Sequence, residues 1–163
     1  MQTKLHQLSP IIDFHSKIII LGSFPSLLSL KNSFYYANPQ NRFWTVISTL
    51  FDRNLTSVSN EEKTAFLLGH HIALYDVIEK CDIKGSSDSS IINVIPADIP
   101  GFIQNSEISH VFLNGKKAYQ IFCKYYPELL STATVLPSTS SANASKNLDS
   151  LLNEWRLILN YIK

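Results

Sequence analysis

Residues 17–22 read Lys17-Ile18-Ile19-Ile20-Leu21-Gly22, and the chain continues Ser23-Phe24-Pro25-Ser26. Four consecutive aliphatic residues close on a glycine and a polar turn. Such a run keeps no polar face for water, so it predicts a strand covered on both sides, at the centre of a parallel sheet. Working outward, His71-Ile72-Ala73-Leu74-Tyr75, His110-Val111-Phe112-Leu113-Asn114 and Thr134-Val135-Leu136 predict three more strands, the last stopped by Pro137. Helical stretches lie between them. Phe43, Trp44, Ile47, Leu50 and Phe51 share one face of a helix opened by Asn41. Ser59-Asn60-Glu61-Glu62 predicts a capping box, and Asp98 to Asn105 a short helix. Gly115 opens a helix carrying Ala118, Tyr119, Phe122 and Cys123, and a last helix is expected over 144–162. This alternation predicts an α/β fold, a three-layer α/β/α sandwich around a mostly parallel four-stranded sheet.

The chain has 163 residues, which predicts one domain over 1–163. It is 45% hydrophobic and 17% charged, the balance of a globular chain rather than a disordered one. A net charge of +1 excludes a binder that is basic throughout, though not one with its cations on one face. Cys81 and Cys123 lack CxxC spacing and cannot build a four-thiolate centre, so they read as reduced structural thiols. His70-His71 would point to opposite faces of a strand and hold no common metal. No metal or other cofactor is therefore expected. The N-terminus shows no apolar signal segment and no run suits a membrane span, so the expected location is the cytoplasm.

Ligands of parallel sheets bind where the strands end at their carboxyl edge. The segments there are 22–40, 76–93, 114–116 and 137–143. The first is expected to be loop throughout, and Asp82 to Asn93 a Ser/Gly-rich loop. None carries GxGxxG, GxxxxGK[ST] or GxSxG, which disfavours a dinucleotide fold, a P-loop and an α/β-hydrolase. The first loop instead offers aromatic faces (Phe24, Tyr35, Tyr36), amides (Asn38, Asn41) and the Arg42 guanidinium. Rings stack on bases, and amides read base edges or hold a water. By composition alone Asn41 reads first as a helix cap, and Asp76 in the second loop reads as a cap or a site residue alike. Asp88, within Gly85-Ser86-Ser87-Asp88-Ser89-Ser90, is a candidate partner for a base. Pro137-Ser138-Thr139-Ser140-Ser141-Ala142-Asn143 reads either as a close-approach site for phosphate or as a serine-rich turn.

These residues carry a resemblance. Gly22-Ser23-Phe24-Pro25-Ser26 with Ala37-Asn38-Pro39-Gln40-Asn41-Arg42-Phe43-Trp44 resembles the first motif region of the uracil-DNA glycosylase superfamily. Tyr35-Tyr36, Ala73-Leu74-Tyr75-Asp76-Val77, Cys81-Asp82-Ile83, Gly85 to Ile91, Asn114 to Tyr119 and Leu136 to Ser140 are similar to its hypoxanthine-DNA (deoxyinosine) glycosylases. The resemblance runs from about Ile18 to Trp155. It implies a monofunctional enzyme that flips deoxyinosine out of DNA and hydrolyses the N-glycosidic bond, initiating base excision repair. By similarity, Asn41 is catalytic and positions the attacking water, and the Tyr36 ring stacks on the flipped base. Phe24, Ser23, Ser87, Asp88 and Asn114 complete the expected base contacts. Ser26, Arg42, Lys116, Ser138, Thr139 and Ser140 are the expected DNA contacts. The partner is damaged double-stranded DNA, with the single-stranded form left open, and the protein is expected to be a monomer.

The chain departs from the wider pattern in three ways. Phe24 stands where the uracil/thymine branch has a water-binding Asn. Ser140 and Ser141 stand where other branches carry a wedging Leu. No residue declares itself as general acid or base. A mismatch-specific uracil/thymine glycosylase and a catalytically inactive DNA-binding module are the competing readings. The charge is also unevenly spread. Residues 14–51, 108–127 and 129–148 hold seven cations (Lys17, Lys31, Arg42, Lys116, Lys117, Lys124, Lys146) and no acid. A basic side fit for phosphates is expected there.

Overall fold

The computed structural model describes residues 1–163. Its centre is a four-stranded, all-parallel sheet in the order β3-β2-β6-β7. These strands are β2 (Ile18–Gly22), β3 (Ile72–Asp76), β6 (His110–Asn114) and β7 (Ala133–Leu136). Every residue of β2 and β3 is buried. Full burial of each Ile or Leu of β2 contributes roughly 1.5–3 kcal/mol, so this strand anchors the core. Gly22 pairs with Asp76 and Leu21 with Leu113, so the central strands end level, at one edge.

The helices are α1 (Leu27–Asn32), α2 (Phe43–Leu50), α3 (Asn60–Gly69), α4 (Ile99–Gln104), α5 (Lys116–Tyr125) and α6 (Leu148–Trp155). Their starts follow local chemistry. The Ser59 hydroxyl accepts from the Glu62 N–H, Asp98 caps α4 through the Gly101 N–H, and Asn147 caps α6 through the Ser150 N–H. The apolar faces of α2 and α6 meet over the sheet, where Trp155 is fully buried and packs edge-on against Phe43.

Four expectations need correction. The segment 22–40 is not loop throughout, because Ser26 caps a short helix, α1. The last helix is shorter than expected: α6 ends at Trp155 and a 3₁₀ turn covers Arg156–Tyr161. His70 and His71 lie outside the strand, His70 closing α3 and stacking on Phe66, His71 in a left-handed turn.

The largest difference is a second, antiparallel sheet in the order β1-β4-β5, built from Gln2–Leu5, Ile78–Ile83 and Ile92–Pro96. Asp82 and its neighbours therefore belong to a strand rather than a loop. Register shifts at Ile78/Lys80 and Lys80/Asp82 break the two-residue alternation that would have announced β4. Its partner β1 lies more than 70 residues away, beyond any local signal. No helix is long and apolar enough to cross a membrane.

Candidate active site

The carboxyl edge of the parallel sheet opens into a cleft with about 180 Å³ of water-accessible space. Its walls come from four segments. The turn after β2 supplies Ser23 and Phe24, and the run into α2 supplies Tyr36 and Asn41. Asp76 ends β3, Asn114 ends β6, and Ser138 to Ser141 follow β7. The sequence places all four at this edge, and the structure brings them together.

One wall is a chain of amides and hydroxyls. The Asn41 Oδ1 accepts two bonds, from the Phe43 N–H (2.9 Å) and the Thr139 hydroxyl (2.8 Å). The Phe43 donor fixes which amide atom is the oxygen. Asn41 thus makes an Asx turn leading into α2, whose N-cap is Arg42, and is a pocket residue, and its Nδ2 is left without a protein partner. Asn114 Nδ2 donates to the Thr139 hydroxyl (3.0 Å) and the Tyr36 hydroxyl (3.2 Å), and its Oδ1 accepts from the Thr139 N–H (3.0 Å). The Tyr36 ring stacks on Phe43 with centroids 4.1 Å apart, and its backbone is left-handed (φ 54°). A non-glycine residue in that conformation is held by its packing and marks a functional candidate. Burial pushes the Tyr36 phenol well above its ordinary pKa, with Asp76 adding to the shift, so it stays a hydroxyl donor.

The other wall carries carboxylates. The Asp88 Oδ1 accepts from the Ser23 hydroxyl at 2.8 Å. Desolvation raises the Asp88 pKa and nearby Asp76 adds to it, against the lowering effects of Ser23 and Lys117. Asp76 is buried, with its Oδ2 2.7 Å from His6 Nε2. It is a pocket residue and not a helix cap. A methyl group added to Gly22 would stand 2.5 Å from Asp76 Oδ1 and 3.2 Å from the Tyr36 hydroxyl. Only glycine fits between them.

Several residues expected to touch DNA do other work. Arg42 donates from its guanidinium to the carbonyls of Lys146, Ser140 and Asn143, and its Nε is buried without a partner. It clamps the last loop to the start of α2 and is not free for a phosphate. Thr139 is fully buried inside the amide wall, so it positions Asn41 and Asn114 and reaches no phosphate. The Ser26 hydroxyl is spent on capping α1. Ser87 lies outside the cleft, bonded to Ser89, and Ser86 lines the cleft in its place. Lys116, Ser138 and Ser140 stay at this edge, where Ser138 packs on Gly115 just before Lys116. The basic side is thinner than its sequence count: Lys17 bonds the Lys163 carbonyl and Lys146 pairs with Glu154. Cys81 lies in β4 of the antiparallel sheet, and burial raises its thiol pKa, which suits an inert side chain. No group of three His, Cys, Asp or Glu side chains gathers to hold a metal.

The family model described as the uracil DNA glycosylase superfamily matches residues 9–161. The chain belongs to the uracil DNA glycosylase superfamily. Within it, this member is 33% identical over 157 residues to a Methanosarcina acetivorans protein named hypoxanthine DNA glycosylase, covering 93% of this chain and 95% of that one. A protein of the same name from Methanosarcina barkeri is 29% identical over 153 residues, covering 90% and 92%. An NMR solution structure of a Methanosarcina acetivorans protein superposes with a TM-score of 0.82 at 31% identity, over 99% of both chains. The fold is thus that of this superfamily.

His6 is the site residue that sequence reading missed. It lies in no motif, and only the pairing of β1 with β4 carries it beneath the cleft.

Proposed function

We infer that this chain is a monofunctional DNA glycosylase that excises hypoxanthine from DNA, leaving an abasic site. The observation that carries the reading is Asn41, fixed at the cleft wall by Phe43 and Thr139 with its Nδ2 turned to no protein partner. The names of the two relatives, which match over most of both chains, support hypoxanthine as the base.

The reaction needs a flipped nucleotide, because the bond is out of reach within the stack. Tyr36, backed by Phe43, provides the aromatic platform for the base. Departure of the purine builds positive charge on the sugar, as in glycoside hydrolysis. A water attacks C1′, the C1′–N9 bond breaks and its electron pair leaves with the purine; the purine takes up one proton and the attacking water releases one to solvent, so the hydrolysis balances. With Oδ1 doubly engaged, Asn41 offers the water only N–H donors. Its contribution is therefore positional rather than basic. Asp88, bonded to Ser23 at the cleft wall and with its pKa raised by desolvation, is the candidate donor to the leaving purine. The cleft is lined by hydroxyls, amides, carboxylates and rings without an amine, which supports attack by water over a Schiff base. Lys116, Ser138 and Ser140 are the residues placed to meet phosphates.

The test is a set of duplexes with one hypoxanthine, uracil, thymine mismatch or xanthine each, treated with alkali after incubation. Strand scission at hypoxanthine is expected. Scission at uracil alone would establish the pyrimidine branch, and DNA binding without scission would establish an inactive module.

A further inference from the structure

Asp76 lines the cleft from the carboxyl end of β3, opposite Gly22 of β2. The residue is only 5% exposed, it ends the buried strand β3, and one carboxylate oxygen is taken by His6. The other, Oδ1, accepts no hydrogen bond from the protein and is not sealed off from the cleft. It lies against the Cα of Gly22, where any side chain would displace it.

His6 explains how a carboxylate is kept there. Its imidazole is enclosed by rings, 4.1 Å from Tyr75 and 6.0 Å from Phe24 between centroids, and its backbone N–H is tied to the Glu79 carbonyl. Its Nδ1 is buried without a partner. An orphaned N–H costs more than a bare lone pair in such a place, so the proton sits on Nε2 and points at Asp76. Asp76 Oδ2 then accepts that N–H, and Oδ1 is the acceptor left to the cleft.

A purine held by its sugar enters a pocket with N9 toward the mouth. The atoms farthest from N9 are those of the Watson–Crick edge, so N1 is presented to a buried group at the strand ends, where Asp76 lies. In hypoxanthine N1 carries a hydrogen, and in adenine N1 carries a lone pair. A carboxylate accepts from the first and repels the second. Resting on the glycosylase reading above, we propose that Asp76, oriented by His6, is the residue that selects hypoxanthine over adenine by accepting the N1–H of the flipped base. Asp76 is the specificity residue and His6 a positioning residue. Rejection at a buried, preset acceptor is strong, because the mismatched pair leaves both groups unsatisfied.

The experiment compares single-turnover excision of hypoxanthine and adenine from otherwise identical duplexes. In Asp76→Asn the His6 Nε2–H holds the amide oxygen, so the amide turns its NH₂ toward the base and donates where N1–H also donates. The hypoxanthine-to-adenine rate ratio should fall at least about tenfold. His6→Phe keeps the ring packing but leaves the buried Asp76 Oδ2 without its partner, so the ratio should fall by a smaller factor and Tm should drop. A folded Asp76→Asn protein with the parent ratio overturns the proposal. Should that variant fail to fold, the parent is assayed on 1-methyl-2′-deoxyinosine, which has no N1–H. Refusal supports the proposal, and cleavage at the deoxyinosine rate overturns it. A parent that leaves deoxyinosine itself uncut overturns the glycosylase reading, whereas a parent that cuts it while Asp76→Asn keeps the ratio overturns this inference alone.

Discussion

The two walls of the cleft are built on opposite plans. On the amide wall, Asn41, Thr139, Asn114 and Tyr36 answer one another's hydrogen bonds, and the groups left over are donors: the Asn41 Nδ2 and the Tyr36 hydroxyl proton. On the carboxylate wall, Asp76 and Asp88 each lean on one neighbour and leave an acceptor oxygen unanswered. The amide wall is rigid because its members satisfy each other, and a closed buried network specifies one geometry. The carboxylate wall is held one residue at a time, by His6 beneath and Ser23 at the rim. A closed network suits positioning, and open acceptors suit reading and proton transfer.

The comparison breaks first at Asn41. Asn41→Ala removes the free donor and should reduce hypoxanthine excision by about 100-fold while keeping the fold. It also removes the acceptor of the Phe43 N–H, a loss of about 1 kcal/mol measurable in urea. Excision by this variant at the parent's rate would end the catalytic role. Next is Thr139→Val, close in shape but without the hydroxyl. It removes one of the two partners of Asn41 Oδ1 and one of the two of Asn114 Nδ2 and should cost about 1 kcal/mol by denaturant titration. A loss of roughly tenfold in excision is expected beside it, because Asn41 is no longer held.

The carboxylate wall should respond to pH instead. The folded Asp88 pKa is raised, so its protonated form persists to higher pH than a free carboxyl's. Excision should then fall as pH rises through that pKa, with desolvation first and then Ser23, Asp76 and Lys117 setting its position. Asp88→Asn should lower the rate and flatten that limb. An unchanged pH profile would remove Asp88 from the proton path. The smallest effect lies outside both walls. Lys116→Ala should weaken duplex binding for all sequences alike and reduce the salt slope by about one, read from binding titrations at several salt concentrations.

Much of this was legible in the sequence for a physical reason. Buried parallel strands are written as continuous apolar runs, and Ile18 to Leu21 is such a run. The cleft's location follows from the ends of those strands, and the motif residues converge there. The role of Arg42 was not legible, because a guanidinium offers the same donors to a phosphate as to the three carbonyls it meets. Thr139 was misassigned for a related reason: a hydroxyl in a serine-rich loop gives no sign of which way it turns.

The sequence by itself therefore determined the parallel sheet, its capped helices and the edge at which chemistry gathers, because these depend on local periodicity and on strand ends. Tertiary structure alone decided which polar side chains are spent on the protein and which remain for a ligand. It also decided that His6 lies under Asp76. That contact spans 70 residues and depends on the pairing of β1 with β4, which no local pattern encodes.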